Sequence, residues 1–181
     1  MVGMNLVNYL KNFSDFSLLY PDSKKLDLLD SQLVDKYISN NNIDCIVHCA
    51  GHVGGIQANI DNPYNFLEKN LLIGINILKA SIKNKIPKFI NLGSSCMYPK
   101  DRDGELKEED ILTGPLEPTN EGYAISKIAI SKLCEYAKKQ FKLDYKTIVP
   151  CNLYGKWDKF DPIKSHLIPA VIRKRSEEHT S

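Results

Sequence analysis

Tyr123 and Lys127 stand four residues apart in the segment Tyr-Ala-Ile-Ser-Lys, and a Gly-Ser-Ser-Cys turn precedes them at 93–96. Four residues make about one helical turn, so the phenol and the ammonium share one face of a helix. An ammonium held close to a phenol favours the phenolate and lowers its pKa from about 10. Such a phenol can give a proton to a carbonyl oxygen while a hydride reaches the carbonyl carbon. Together with a serine from the end of a preceding strand, the pair predicts hydride transfer to a sugar or alcohol carbon.

The serine turn makes this pattern more specific, because a tyrosine and a lysine at this spacing also occur as an ordinary surface pair. Ser94 follows a predicted strand, and its hydroxyl can hydrogen-bond the same carbonyl oxygen. Ser95 points elsewhere if the turn is extended. Cys96 then faces the same side as Ser94, although a cysteine is also a common buried apolar filler.

Length and charge limit the possible classes of protein. A chain of 181 residues favours one domain with a real core, and 43% hydrophobic with 25% charged residues is typical of a soluble globular protein. The formal net charge of +2 demands neither nucleic acid nor a membrane surface as a partner. The apolar stretch at 71–78 is interrupted by Gly74 and Asn76 and is too short to span a bilayer.

The cysteine and histidine spacings indicate neither a disulfide framework nor a metal site. Five cysteines without paired spacing favour free thiols and a reducing, cytoplasmic compartment. Cys45 and Cys49 are interpreted as small buried side chains in a strand. His48 is interpreted as a hydrogen-bonded core histidine, whereas His52 lies where it can touch cofactor or substrate. No metal is predicted.

Short apolar runs alternate with longer amphipathic segments, which predicts an α/β fold with a doubly wound, Rossmann-like parallel sheet covered on both faces. Ligands of such sheets lie beyond the carboxyl ends of the strands. Gly51–Gly55, Gly93–Cys96 and Pro150–Gly155 all follow strands and should line one cleft, whereas Asp101–Gly114 is predicted as a surface loop. The predicted strands are Ser17–Tyr20, Cys45–Ala50, Lys88–Leu92 and Tyr145–Pro150, and the predicted helices are Gln32–Asn40, Pro63–Lys83, Gly122–Phe141 and one that begins at Leu167 and extends to Lys174.

Both ends of the chain depart from this pattern. A nucleotide-binding sheet is expected to place a first strand and a glycine-rich turn before the helical pattern at Met4–Leu10, and only Gly3 matches a remnant of that turn. At the other end, Arg175–Ser181 abandons the helical pattern and is predicted to be a non-native tail. Residues 1–174 are therefore expected to form a Rossmann domain without its first strand and without most of a C-terminal substrate domain.

Several strings in this order resemble one family. With them the chain resembles the extended short-chain dehydrogenase/reductases that act on nucleotide sugars, the NAD-dependent epimerase/dehydratases, and within them most of all the GDP-L-fucose synthase branch. The resemblance extends from Met1 to about Lys174. The strings are Val-Gly-Gly-Ile at 53–56 with Asn59, Gly-Ser-Ser-Cys-Met-Tyr-Pro at 93–99, Leu-Glu-Pro-Thr-Asn-Glu at 116–121, Tyr-Ala-Ile-Ser-Lys at 123–127, Asn-Leu-Tyr-Gly at 152–155 and Ser-His-Leu-Ile-Pro-Ala at 165–170.

This resemblance implies an NADPH-dependent epimerase-reductase in a longer parent chain. It would convert GDP-4-dehydro-6-deoxy-D-mannose to GDP-L-fucose by epimerisation at C3 and C5 and reduction at C4. Cys96 and His166 would exchange protons at the carbons beside the ketone, Tyr123 would protonate the ketone oxygen, Ser94 would steady it, and Lys127 would hold the nicotinamide ribose. The implied cofactor residues are Gly3, Asp27, Leu92, Gly93, Ser94, Ser95, Tyr123, Lys127, Pro150, Cys151, Asn152, Leu153 and His166, and the implied substrate residues are Asn152, Arg173 and Lys174.

Two alternatives remain open from the residues. One is a GDP-deoxysugar or GDP-deoxyheptose C4 reductase without epimerisation, and the other is a cofactor-binding domain without catalysis. The resemblance also implies NADP rather than NAD, and a homodimer with long helices such as Gly122–Phe141 in its interface.

Overall fold

The structure, a computed structural model, describes residues 1–102, 104–158, 160–161, 165 and 167–178. Three parallel strands form one sheet in the spatial order β1 (Cys45–His48), β2 (Lys88–Leu92) and β3 (Asp144–Ile148). Phe89 pairs with Ile46 on one side and with Tyr145 on the other. The carboxyl ends of the three strands therefore meet at one edge, which confirms the predicted parallel α/β sheet.

The part of the chain that the structure describes contains six helices. Asp30 begins the second of them by accepting hydrogen bonds from the backbone of Gln32 and Leu33, and Pro63 occupies the first turn of the fourth, where its missing N–H costs nothing. Three short 3₁₀ turns connect the elements, at Ser95–Met97, Glu108–Asp110 and Pro118–Asn120. The helices are α1 (Val2–Leu10), α2 (Ser31–Ser39), α3 (Ile56–Asp61), α4 (Pro63–Lys83), α5 (Glu121–Phe141) and α6 (Leu167–Glu178).

The main core lies between one face of the sheet and helices α4 and α5. Phe89 and Tyr145 are almost fully buried there against Leu78, Ile130 and Cys134. Burying each large apolar side chain contributes about 1.5–3 kcal/mol, so this cluster fixes α5 over the strands. The Tyr145 hydroxyl donates a hydrogen bond to the carbonyl of Ile86 at 3.1 Å, which satisfies its polar end.

The opposite face of the sheet is more open. Val47 is 36% exposed, Ile148 is 52% exposed, and Cys45 is also exposed. Helical cover over these positions was predicted but is not present in the described part of the chain. The interpretation of Cys45 as a buried filler is therefore wrong, because alternate residues of a strand point to opposite faces and Cys45 points to the uncovered one.

Most predicted elements are confirmed within one or two residues, with three differences. Ser17–Tyr20 is not a strand, because an extended segment is stable only beside another strand and none of the described strands pairs with it. Helix α3 was not predicted. Helix α6 continues past Lys174 to Glu178, and Arg173 donates a hydrogen bond to Glu177 one turn later, at 3.0 Å.

The contact between α4 and α5 generates a test of the fold. A Cβ atom at Gly74 would lie 2.5 Å from a side-chain carbon of the buried Ile130. We expect Gly74→Val to lower the free energy of unfolding by about 1–3 kcal/mol, because overpacking displaces Ile130. Urea denaturation measures the change. Leu72→Val, at an exposed position of the same helix, is the matched control, and an equal effect of both variants would contradict the packing described here.

Candidate active site

The three turns that follow the strands line one cleft, as predicted. A cavity of about 570 Å³ lies at the carboxyl edge of the sheet. Gly54 and Gly55 line it from the turn after β1, Ser94 and Cys96 from the turn after β2, and Asn152 from the segment after β3. The sheet topology thus brings together residues that lie almost a hundred positions apart in the sequence.

The serine turn is built tightly at the end of β2. The backbone N–H of Gly93 donates to the carbonyl of Ile148 at 2.8 Å, which extends the pairing with β3 by one bond. Ser94 then begins the 3₁₀ turn Ser95–Met97, and the thiol of Cys96 donates to the Ser94 hydroxyl at 3.1 Å. Because the turn is helical rather than extended, Ser95 also lines the cleft, and the prediction that it points elsewhere is wrong.

Tyr123 and Lys127 lie on the first two turns of α5, on the face that meets the sheet. Lys127 is only 8% exposed, and its ammonium donates a hydrogen bond to the carbonyl of Leu92 at 2.8 Å. Its Nζ atom lies 5.6 Å from the centre of the Tyr123 ring. The lysine therefore ties α5 to the strand end from which the serine turn departs.

Burial, rather than the ammonium, controls the ionisation of the phenol. Burial raises the pKa of Tyr123 to about 12, the nearby Cys96 thiol adds to the rise, and a hydrogen bond with Ser94 opposes it. The expectation that Lys127 lowers this pKa is therefore wrong for the structure as it stands. Burial also lowers the pKa of Lys127 and raises that of the Cys96 thiol. At neutral pH the phenol and the thiol both carry their protons.

Comparison with known proteins identifies the family. The family described as "NAD dependent epimerase/dehydratase family" matches residues 1–180. The chain belongs to this family. A GDP-L-colitose synthase of Yersinia pseudotuberculosis is 53% identical over 96% of the chain and 56% of its own length. The GDP-L-fucose synthase of Escherichia coli strain K12 is 42% identical over 98% of the chain and 55% of its own length.

Solved structures of GDP-sugar enzymes also superpose on this chain. A GDP-mannoheptose C4 reductase from Campylobacter jejuni, solved with NADP bound, superposes with a TM-score of 0.88 at 32% sequence identity. The match covers 95% of this chain and 51% of the length of the reductase. The chain thus spans about half the length of the relatives it matches. The resemblance to the epimerase/dehydratases that the sequence strings indicated is confirmed.

Some of the other residues that the resemblance assigned to the cofactor lie next to this cleft, and others lie apart from it. Gly3 lies in the first turn of α1, where an added Cβ would be 3.4 Å from the Cβ of Cys49 just after β1. Asp27 is exposed, and its carboxylate accepts a hydrogen bond from the Leu29 backbone rather than facing the cleft. Pro150, Cys151 and Leu153 flank the cleft residue Asn152 on the chain, and the last two are exposed.

The residues assigned to the substrate diphosphate are not part of the cleft lining. The Arg173 side chain is 25% exposed and pairs with Glu177 on its own helix, and Lys174 is exposed. His166 lies outside the described residues, so its role stays a prediction.

His48 lies in β1 and His52 lies just after it, and both are packed within the protein. His48 is 5% exposed, as expected of a core histidine, but its Nδ1 atom has no hydrogen-bond partner among the described residues. Burial, reinforced by the Lys127 charge, lowers its pKa to about 3 and keeps it neutral. The His52 ring packs 4.7 Å from Phe66, and Asn70 holds the His52 backbone through two hydrogen bonds of 2.8 and 3.0 Å.

Sequence patterns missed two asparagines in the site. Asn59 on α3 and Asn120 just before α5 both line the cleft. Each carries a side-chain oxygen that is buried without a hydrogen-bond partner among the described residues. The only signal in the sequence was their place inside the strings that resemble the family, since a lone asparagine in a polar segment is most often a turn or cap residue.

Two absences complete the description of the site. Among residues 1–102, 104–158, 160–161, 165 and 167–178, no three His, Cys, Asp or Glu side chains cluster in a way that could hold a metal ion. Within the same ranges, every helix is too short or too polar to cross a membrane.

The competing influences on Tyr123 can be separated by titration. We expect the phenol to ionise with a pKa near 12, because burial dominates. The 13Cζ resonance of labelled tyrosine, assigned by its loss in Tyr123→Phe, follows this ionisation directly. Lys127→Met is the matched variant and should leave the midpoint within about half a unit, because burial lowers the pKa of Lys127 and the lysine is itself uncharged near pH 12. A midpoint below about 10 that rises in Lys127→Met would show that the lysine is in control.

Proposed function

We propose that the whole protein is an NADPH-dependent epimerase-reductase that converts GDP-4-dehydro-6-deoxy-D-mannose to GDP-L-fucose. One observation carries the proposal: Ser94, Cys96, Tyr123 and Lys127 converge at the carboxyl edge of one parallel sheet. A cofactor-binding domain without catalysis would not need these four groups together. The relatives named as GDP-L-fucose and GDP-L-colitose synthases supply the substrate class.

The described residues fit a nicotinamide cofactor. The Lys127 ammonium has three N–H donors and uses one on the Leu92 carbonyl, so two remain for the hydroxyls of a ribose. Gly93 lets the serine turn pack closely against the end of β2, since an added Cβ there would lie 2.9 Å from the Met97 sulfur. NADPH supplies the hydride when bound, and Lys127 and the backbone of the serine turn would hold it.

Reduction at C4 needs a proton on the ketone oxygen. Tyr123 is protonated at neutral pH and can give its proton to that oxygen as the hydride arrives at the carbon. The Ser94 hydroxyl stabilises the developing charge on the same oxygen. The ammonium of Lys127 then stabilises the phenolate that remains, since its Nζ atom lies 5.6 Å from the ring centre.

Epimerisation needs proton exchange at the carbons on either side of the ketone, whose hydrogens the ketone acidifies. The Cys96 thiol lies in the cleft and is in contact with the Ser94 hydroxyl, so a proton donor stands beside the group that holds the ketone oxygen. His166 is the second exchanging group in this proposal, and its imidazole changes charge near neutrality. Asn152 would contribute to substrate binding from the third turn, and Arg173 and Lys174 would meet the diphosphate.

A homodimer and a cytoplasmic location belong to the same proposal. Helix α5 leaves apolar side chains exposed on the face away from the sheet, with Ile125 at 41%, Leu133 at 39% and Tyr136 at 57% exposure. Exposed apolar residues on one helix face are typical of an interface. Analytical ultracentrifugation of the purified protein distinguishes a dimer from a monomer.

A second candidate is a C4 reductase without epimerisation that acts on a GDP-linked deoxyheptose. It is favoured by the superposition on the Campylobacter jejuni GDP-mannoheptose C4 reductase, at a TM-score of 0.88 and 32% identity. Both candidates share the reduction chemistry and differ only in proton exchange at C3 and C5.

Cys96→Ser separates the two reactions. In D₂O without NADPH, we expect the protein to exchange deuterium into C3 and C5 of GDP-4-dehydro-6-deoxy-D-mannose, and Cys96→Ser to slow this exchange at least about 100-fold. Mass spectrometry measures the exchange. Tyr123→Phe is the reciprocal control, because it should keep the exchange and lose NADPH oxidation by a similar factor.

The outcomes divide the candidates. NADPH oxidation without deuterium exchange would replace the proposal by the C4 reductase. Failure to oxidise NADPH with any GDP-4-keto sugar would overturn the assignment as a reductase.

A further inference from the structure

Two neighbouring cavities share the side chains of two asparagines. The cleft of about 570 Å³ contains Ser94 and Cys96, and a second cavity of about 320 Å³ is lined by Tyr123. Asn59 and Asn120 line both. These two side chains therefore lie where the two cavities adjoin, and Tyr123, which lines the smaller one, is hydrogen-bonded to Ser94 in the larger one.

The amide of Asn59 is oriented by its own helix turn. Its Nδ2 donates to the carbonyls of Gly54 at 3.2 Å and Gly55 at 3.0 Å, which assigns the nitrogen and leaves Oδ1 on the other branch of the amide. Asn59 is 7% exposed, and Oδ1 has no donor among the described residues. A buried acceptor without a donor is unfavourable unless a ligand or another group supplies one.

Asn120 departs from the usual behaviour of its position. It is the residue before the first turn of α5, where an asparagine side chain normally accepts a hydrogen bond from the helix backbone. Here it caps nothing, and its Oδ1 is likewise buried without a donor among the described residues. The side chain is thus kept between the cavities rather than turned back to the helix.

We propose that the side-chain oxygens of Asn59 and Asn120 bind hydroxyl groups of the sugar ring in the substrate. This inference rests on the proposed function and adds the residues that select the sugar. Hydroxyls are hydrogen-bond donors, whereas a ketone oxygen only accepts. The hydroxyls therefore go to the two amide oxygens and the ketone goes to Ser94 and Tyr123, so the ring binds with its carbonyl carbon at the proton donor.

Calorimetry with two ligands tests the proposal on the full chain. GDP-mannose carries the sugar hydroxyls and GDP does not, so the ratio of the two Kd values measures how much the sugar contributes to binding. We expect GDP-mannose to bind at least about tenfold tighter than GDP, and Asn120→Leu to reduce that ratio to within about twofold of one. Asn120→Asp keeps an acceptor oxygen and suits a helix start, so it should keep the ratio within about threefold of the unchanged protein.

Asn62→Leu is the matched control, since Asn62 also precedes a helix, α4, makes no capping bond and lines neither cavity. It should leave both Kd values unchanged. If Asn120→Leu does not fold, the side-chain amide resonances of the unchanged protein decide: GDP-mannose, but not GDP, should shift those of Asn59 and Asn120 and leave Asn62 in place.

An unchanged protein that binds GDP-mannose no tighter than GDP would overturn the proposal, as would an Asn120→Leu variant that keeps the tighter binding. The proposed function is judged separately by NADPH oxidation. If the protein oxidises NADPH but Asn120→Leu keeps the ratio of the two Kd values, only the asparagine site is rejected. If Asn120→Leu loses that ratio but the unchanged protein does not oxidise NADPH, only the assignment as a reductase is rejected.

Discussion

The hydrogen bond from the Lys127 ammonium to the carbonyl of Leu92 connects the two parts of the molecule on which the site depends. Leu92 ends the central strand, and the serine turn begins one residue later. Lys127 lies one helical turn after Tyr123. This 2.8 Å contact therefore ties the helix that carries the phenol to the strand end that carries the hydroxyl and the thiol, in addition to the apolar core that packs α5 on the sheet. A charged donor in a buried setting makes this contact stronger than a neutral hydrogen bond.

Burial of the same site decides its chemistry. Removal from water raises the pKa of the phenol and of the thiol and lowers that of the ammonium, so each group favours its neutral form more than it would in solution. The phenol and the thiol therefore keep their protons at neutral pH, and in the proposed reaction they give them to a substrate oxygen or carbon. A bound substrate and cofactor add charge and hydrogen bonds to this environment.

The sequence predicts the parts of this arrangement that depend on local pattern. Strand β2, the limits of α4 and α5 and the cleft formed by three post-strand turns follow from apolar periodicity and from the rule for parallel sheets. The sequence at 17–20 could not show that the predicted strand is absent, because the stability of a strand depends on a neighbouring strand and not on its own residues alone. The raised pKa of Tyr123 was missed for a similar reason: the i,i+4 spacing shows that a lysine is near but does not show how deeply the pair is buried. The roles of Asn59 and Asn120 need atomic positions, since an unpaired amide oxygen has no sequence signal.

In the proposed reaction, Ser94 and Tyr123 act on the same oxygen atom. A double-mutant cycle on NADPH oxidation tests it most directly, with Ser94→Ala, Tyr123→Phe and the double variant compared at saturating substrate. If the two hydroxyls share one oxygen, the double variant should lose no more than about threefold beyond the slower single variant. Losses that multiply, so that two 100-fold effects give about 10⁴-fold, would show that the two residues act independently and would contradict the account.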